Sequence, residues 1–138
     1  MARGTLRALA ALGYVGLVEF PLGNGRRADI LALGGAGEFV IVEIKTSLAD
    51  FRADRKWPCY LDFADRFYFA VPTGFPTVLI PEQCGLMVAD GFGAEILRAG
   101  RANPLPAARR RAVMLRFARV AAARLTRLLD PDGGAASG

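Results

Sequence analysis

Histidine is missing altogether from the 138 residues. Its absence excludes His-based catalytic triads and His-ligated zinc. Cysteine occurs only at positions 59 and 84, too sparsely for a disulfide framework or a four-ligand zinc site. A nucleophilic Cys59 or Cys84 would also lack the imidazole that ordinarily generates a thiolate. No apolar run reaches the roughly 18 residues a membrane span requires, because Arg, Asp, Glu or Gly interrupts each candidate. The opening "MARGTLRALAALGYVGLVEF" superficially suggests a secretory signal. Glu19 and the want of a convincing cleavage site make it read instead as a first helix and strand, so the expected location is cytoplasmic, with no membrane partner.

Lysine is scarce in a different sense. Of 18 basic residues only Lys45 and Lys56 are Lys, in a chain with formal charge +5. The basic balance favours polyanionic partners, although charge of this size speaks to steering and solubility more than to fold. A hydrophobic fraction of 53% with 22% charged residues is that of a globular chain rather than a disordered one. Its length suits one domain.

Along the chain, "RGTLRALAALGY" has Leu6, Leu9 and Leu12 near helical spacing and can cap at Gly13. "YVGLVEF", "RRADILAL" and "EFVIVEIK" read as three strands separated by the glycine turns "PLGNG" and "GGAG", which makes a meander. Ser47 is a suitable N-cap for the next helix, with Asp50 in its first turn; Pro58 divides the following stretch into a helix to about Lys56 and another to about Ala64. "RFYFAVP" is a fourth strand, and "GLMVADGFGAEILR" a hairpin turning at Asp90-Gly91. Residues 107 to about 129 are helical, gathering Arg109, Arg116, Arg119, Arg124 and Arg127 on one side and Met114, Phe117, Ala121, Leu125 and Leu128 on the other, which reads either as a solvated face over a packed one or as a phosphate-tracking or partner surface. The expectation is a single α/β domain over residues 1–129, with a mixed sheet covered by helices, followed by a disordered tail over 130–138.

The informative stretch is "EFVIVEIKTS". Side chains alternate across a strand, so Phe39, Ile41, Glu43 and Lys45 share one face of an otherwise apolar segment. A three-residue Gly35-Ala36-Gly37 loop, with its last position left-handed, would pair Gly34 with Glu38, Leu31 with Ile41 and Asp29 with Glu43. Directly opposed side chains lie roughly 5 Å apart on one face, so two carboxylates would meet and repel. A hard divalent cation such as Mg²⁺ is the natural compensation, since it takes one or two carboxylates and leaves other positions to water and phosphate. Lys45, one pleat further, offers a compact ammonium to a bound water or a substrate phosphate. The alternative is a strand end whose charges pair without function.

Asp29, followed after the glycine turn by Glu43, Ile44 and Lys45, resembles the D…ExK site of the PD-(D/E)XK nuclease-like superfamily, whose core order of helix, three-strand meander, helix and strand matches that inferred here. More narrowly, "RRADILAL", "IVEIKTSLADFRADRKWPCYLDFADRFYFAVP" and "PEQCGLMVADGFGAEILR" are similar to the MmcB-like family of bacterial DNA repair proteins. The resemblance implies a restriction-endonuclease-like α/β core with an extra hairpin and a C-terminal helix. It implies Mg²⁺ or Mn²⁺ on Asp29 and Glu43, with the Ile44 carbonyl and Glu19 as further ligands, and Lys45 positioning the attacking water. DNA is the implied partner, with other DNA repair proteins as companions and a homodimer left open; Arg26 and Arg27 beside the glycine turn and Lys56 and Tyr60 after the motif are the candidate contacts, the alternatives being solvated arginines and a core tyrosine. The implied reaction is hydrolysis of DNA phosphodiester bonds by an endonuclease or exonuclease. The alternative is a non-cleaving DNA-binding or adaptor protein that keeps the nuclease fold. One departure is visible: Ala28 stands where the superfamily motif has Pro, a position that contributes backbone shape and no chemistry.

Overall fold

In a computed structural model, which describes residues 1–136, the chain divides into two compact units, Met1–Leu105 and a C-terminal unit beginning at Pro106. The first starts with helix α1 (Ala2–Ala11), whose Leu9 is buried, and continues into the expected meander: β1 (Val15–Pro21), β2 (Arg27–Leu33) and β3 (Phe39–Ile44). The register follows the glycine loop. Gly34 N–H donates to the Glu38 carbonyl at 2.8 Å, Gly37 is left-handed at φ 92°, and Leu31 faces Ile41.

Helix α2 (Leu48–Ala53) follows, capped by Ser47, whose hydroxyl accepts the Asp50 N–H at 3.1 Å. It stops three residues earlier than its composition suggests. The reason lies in Asp54: its Oδ1 accepts the N–H groups of Lys56 and Trp57 at 2.8 and 3.1 Å, a local alternative to continuing the helix. The segment containing Pro58 is then a 3₁₀ helix, Trp57–Asp62, not a second α-helix to Ala64. Strand β4 (Arg66–Val71) lies parallel to β3, β5 (Gly85–Ala89) parallel to β4, and β6 (Ala94–Arg98) antiparallel to β5. The predicted hairpin therefore extends the main sheet, whose six strands run in chain order β1 to β6.

Alternation sorts two cores onto the two faces of this sheet. Ile30, Ala32, Val40, Val42, Ala70 and Met87 cluster with Leu9 of α1 on one. On the other, Phe67 and Phe69 meet the rings of Phe51, Trp57 and Tyr60, which α2 and the 3₁₀ segment supply; Trp57 and Tyr60 both stack on Phe67. This aromatic layer covers the face on which Glu43 is found, and it leaves the C-terminal end of β3 beside the entry to α2.

The second unit contains α3 (Ala107–Leu129) and a short α4 (Pro131–Ala136). The latter forms where a tail was expected, with Pro131 at its first position and Asp130 Oδ1 accepting the Gly133 N–H at 3.0 Å. Residues 137 and 138 of that expected tail lie outside the described residues. No helix among the described residues is long and apolar enough to cross a membrane.

Candidate active site

The ladder between β2 and β3 ends at the Ile30–Val42 pair, one step short of Asp29 and Glu43. Beyond it the two carboxylates take up the backbone donors. Asp29 N–H donates to Glu43 Oε1 at 2.8 Å, and Ile44 N–H donates to Asp29 Oδ2 at 2.8 Å. Each acid is thus anchored on the other's strand, and the predicted juxtaposition is present. On its other side Asp29 falls in register with Glu19, but β1 and β2 pair at Val18–Ile30 and Phe20–Ala28 and skip this position. Glu19 has φ 48°, the left-handed region that a side-chain-bearing residue adopts at a cost, so the interrupted ladder coincides with the acid pair.

Glu43 is 5% exposed. Burial, followed by the charge of Asp29, pushes its carboxyl up to about 8, against the opposing pull of the Asp29 N–H bond and of Lys45. A group so placed is mostly protonated at neutral pH unless positive charge is brought to it.

Lys45 follows the last residue of β3, its N–H donating to the Ala70 carbonyl at 2.9 Å. Its ammonium lies 2.9 Å from Asp54 Oδ2, and both side chains are largely buried. Burial tends to raise the Asp54 carboxyl; hydrogen bonds from Lys45, Lys56 and Trp57 outweigh that and hold it below the ordinary range. Asp54 was not among the residues singled out from sequence. Its only signal was its place in "RADRK", beyond a helix whose length no local motif announces.

Asp29, Glu43, Ile44, Lys45, Asp54 and Lys56 line one cavity of about 420 Å³, together with Asp50, Ala53 and Tyr60. Lys56 stands exposed at its edge. Tyr60 is a core residue with its hydroxyl tied back, donating to the Arg27 carbonyl at 3.1 Å; burial first, and then the charge of Glu43, raise that hydroxyl to about 12. Glu19, Arg26 and Arg27 are absent from the cavity wall. Arg27 and Glu19 are exposed and face each other at 3.6 Å. Among the described residues no group of three or more His, Cys, Asp or Glu side chains is arranged to hold a metal ion.

These features define an α/β protein whose mixed six-stranded sheet ends, at one strand terminus, in a cavity bearing two opposed carboxylates and a buried Lys–Asp pair. The chain belongs to the MmcB-like family, described as DNA repair protein MmcB-like, whose model matches residues 1–132. Among solved structures, SPO1766, a protein of unknown function from Silicibacter pomeroyi, is 45% identical, with a TM-score of 0.92 over 96% of this chain and 90% of that one. No curated protein matches the chain.

Proposed function

We propose that the protein hydrolyses DNA phosphodiester bonds at this cavity with the help of Mg²⁺ or Mn²⁺, as a nuclease of the PD-(D/E)XK type acting in DNA repair. The observation that carries the reading is the Asp29–Glu43 pair: two carboxylates face each other at the end of a buried strand, and the charge of one helps to raise the other to about 8. Such a pair is costly to keep ionised without a cation. The donor set fits a hard divalent ion, since it consists of carboxylate oxygens in a cavity that Ile44 also lines, with no thiolate or imidazole. When bound, the ion would polarise a phosphoryl oxygen and lower the pKa of a water molecule.

The remaining work falls to the chain itself. Asp29 and Glu43 would hold the ion. The Lys45 ammonium, kept in place by Asp54, would orient the attacking water or donate to a phosphate oxygen. Lys56 at the cavity edge offers a second ammonium to the DNA backbone. A non-cleaving adaptor that retains this fold is the second reading. It is favoured by the cation donors being confined to one pair of carboxylates, with no third acidic ligand converging on them among the described residues.

Linear, nicked, flapped, branched and single-stranded DNA incubated with the protein and Mn²⁺ separates the two. Cutting of at least one substrate is expected, reduced by on the order of 10²-fold or more in Lys45→Ala and in Glu43→Gln while DNA binding persists. Binding without cutting on every substrate would favour the adaptor.

A further inference from the structure

The formal charge of +5 is not spread over the molecule. Met1–Leu105 contains eleven Lys or Arg and eleven Asp or Glu, so its formal charge is zero; from Pro106 onward there are seven Arg against two Asp, which leaves all five excess charges there. Within α3 the imbalance is complete, with seven arginines and no carboxylate in 23 residues. A solvated helix face ordinarily mixes both signs and gains from i, i+4 pairs, which α3 cannot make. Its sequence also sets Arg109, Arg110 and Arg111 near the N-terminus, where the helix dipole disfavours cations. Helix stability does not account for this distribution.

At about 100° per residue Arg109, Arg116, Arg119 and Arg127 fall within an arc of roughly 80°, and they span about 27 Å at 1.5 Å per residue. All four are exposed. A row of guanidinium groups with no intervening acid suits a phosphate backbone, which presents regularly spaced charges and accepts Arg in bidentate fashion. An anionic bilayer would want a broad arc of bulky apolar side chains beside the cations. The exposed leucines do not run the length of the arginine row: Leu125, Leu128 and Leu129 crowd the last turn or so, and between them and Leu115 the stripe carries only Ala118 and Ala122. A second copy of this helix would bring like charges together.

We infer that α3 is the DNA-docking element of this protein, its arginine face running along the phosphates of a duplex without reading bases. The inference takes DNA as the polyanion from the proposed function and is independent of any cleavage at the cavity. It assigns to α3 the main electrostatic contact expected from sequence of Arg26, Arg27, Lys56 and Tyr60.

The test is a salt titration of affinity for a labelled DNA duplex of about 20 base pairs, with the full chain in EDTA and KCl from about 50 to 200 mM. It compares the native protein with Arg116→Gln/Arg119→Gln/Arg127→Gln and with the corresponding triple Lys variant, each checked for native helicity by circular dichroism. Three lost phosphate contacts should lower the slope of log K against log[KCl] by about 2.7 and the affinity by on the order of 10²-fold, while the Lys variant keeps most of both. An unchanged slope and affinity in the Gln variant, or native protein that does not bind the duplex at the lowest salt, would overturn the inference. So would a loss confined to phosphatidylserine vesicles with DNA binding intact, which would make α3 a membrane-surface helix. EDTA keeps the two readings apart. Retained titration without cleavage in Mn²⁺ would remove only the active cavity, whereas cleavage with an unmoved slope would remove only the docking helix.

Discussion

At the level of single residues, Glu43 couples folding to pH. Its carboxyl rises from 4.5 to about 8 on folding, so between those values the folded chain binds more protons than the unfolded one. Stability from this group is therefore fully present below about 4.5 and is lost as pH rises through about 8. Metal-free protein should melt at progressively lower temperature from about pH 5 to about pH 8.5, and Glu43→Gln, which mimics the neutral acid, should flatten that fall when followed by calorimetry. Equal slopes in both proteins would mean that Glu43 is ionised at little cost. This residue was legible in the sequence because strand alternation and a loop of defined length place it opposite Asp29. The left-handed conformation of Glu19, in register with Asp29, was not, since nothing in "VEFP" announces a backbone at φ 48°.

Asp54 acts at the level of elements. It ends α2, starts the 3₁₀ segment and holds Lys45, so one carboxylate fixes how the chain leaves β3 and returns across the aromatic face. Asp54→Ala should cost about 3 kcal/mol in urea unfolding, because it strands a buried ammonium and frees two backbone N–H groups. Replacing both partners, as in Lys45→Met/Asp54→Leu, should recover much of that loss, and a single variant within about 0.5 kcal/mol of native would show the pair to be incidental. The meander, its register and the Ser47 cap were readable because turn glycines and caps are local signals. The early end of α2 was not. It depends on a side chain competing with the helix for backbone donors and on a Lys partner nine positions earlier, and neither leaves a periodic trace. The joining of the β5–β6 hairpin to the main sheet likewise rests on parallel pairing of β4 with β5, which alternation within each strand does not reveal.

Taken whole, the molecule divides its charge unevenly between two units. The unit from Met1 to Leu105 is formally neutral and holds the carboxylate cavity, while the excess positive charge belongs to the unit that contains α3. Such a division suits a protein in which electrostatic attraction to DNA and cation-assisted chemistry are assigned to different elements. The claim on which the proposed chemistry depends is that Asp29 and Glu43 together take a divalent cation. Calorimetric titration of the native chain with Mn²⁺ near pH 8.5 and pH 6.5 tests it directly. One site is expected, weaker by on the order of tenfold or more at the lower pH and releasing about one proton there, because the ion must displace the Glu43 proton, and lost in both Asp29→Asn and Glu43→Gln. Absence of binding at either pH, or binding that survives both substitutions, would contradict the account.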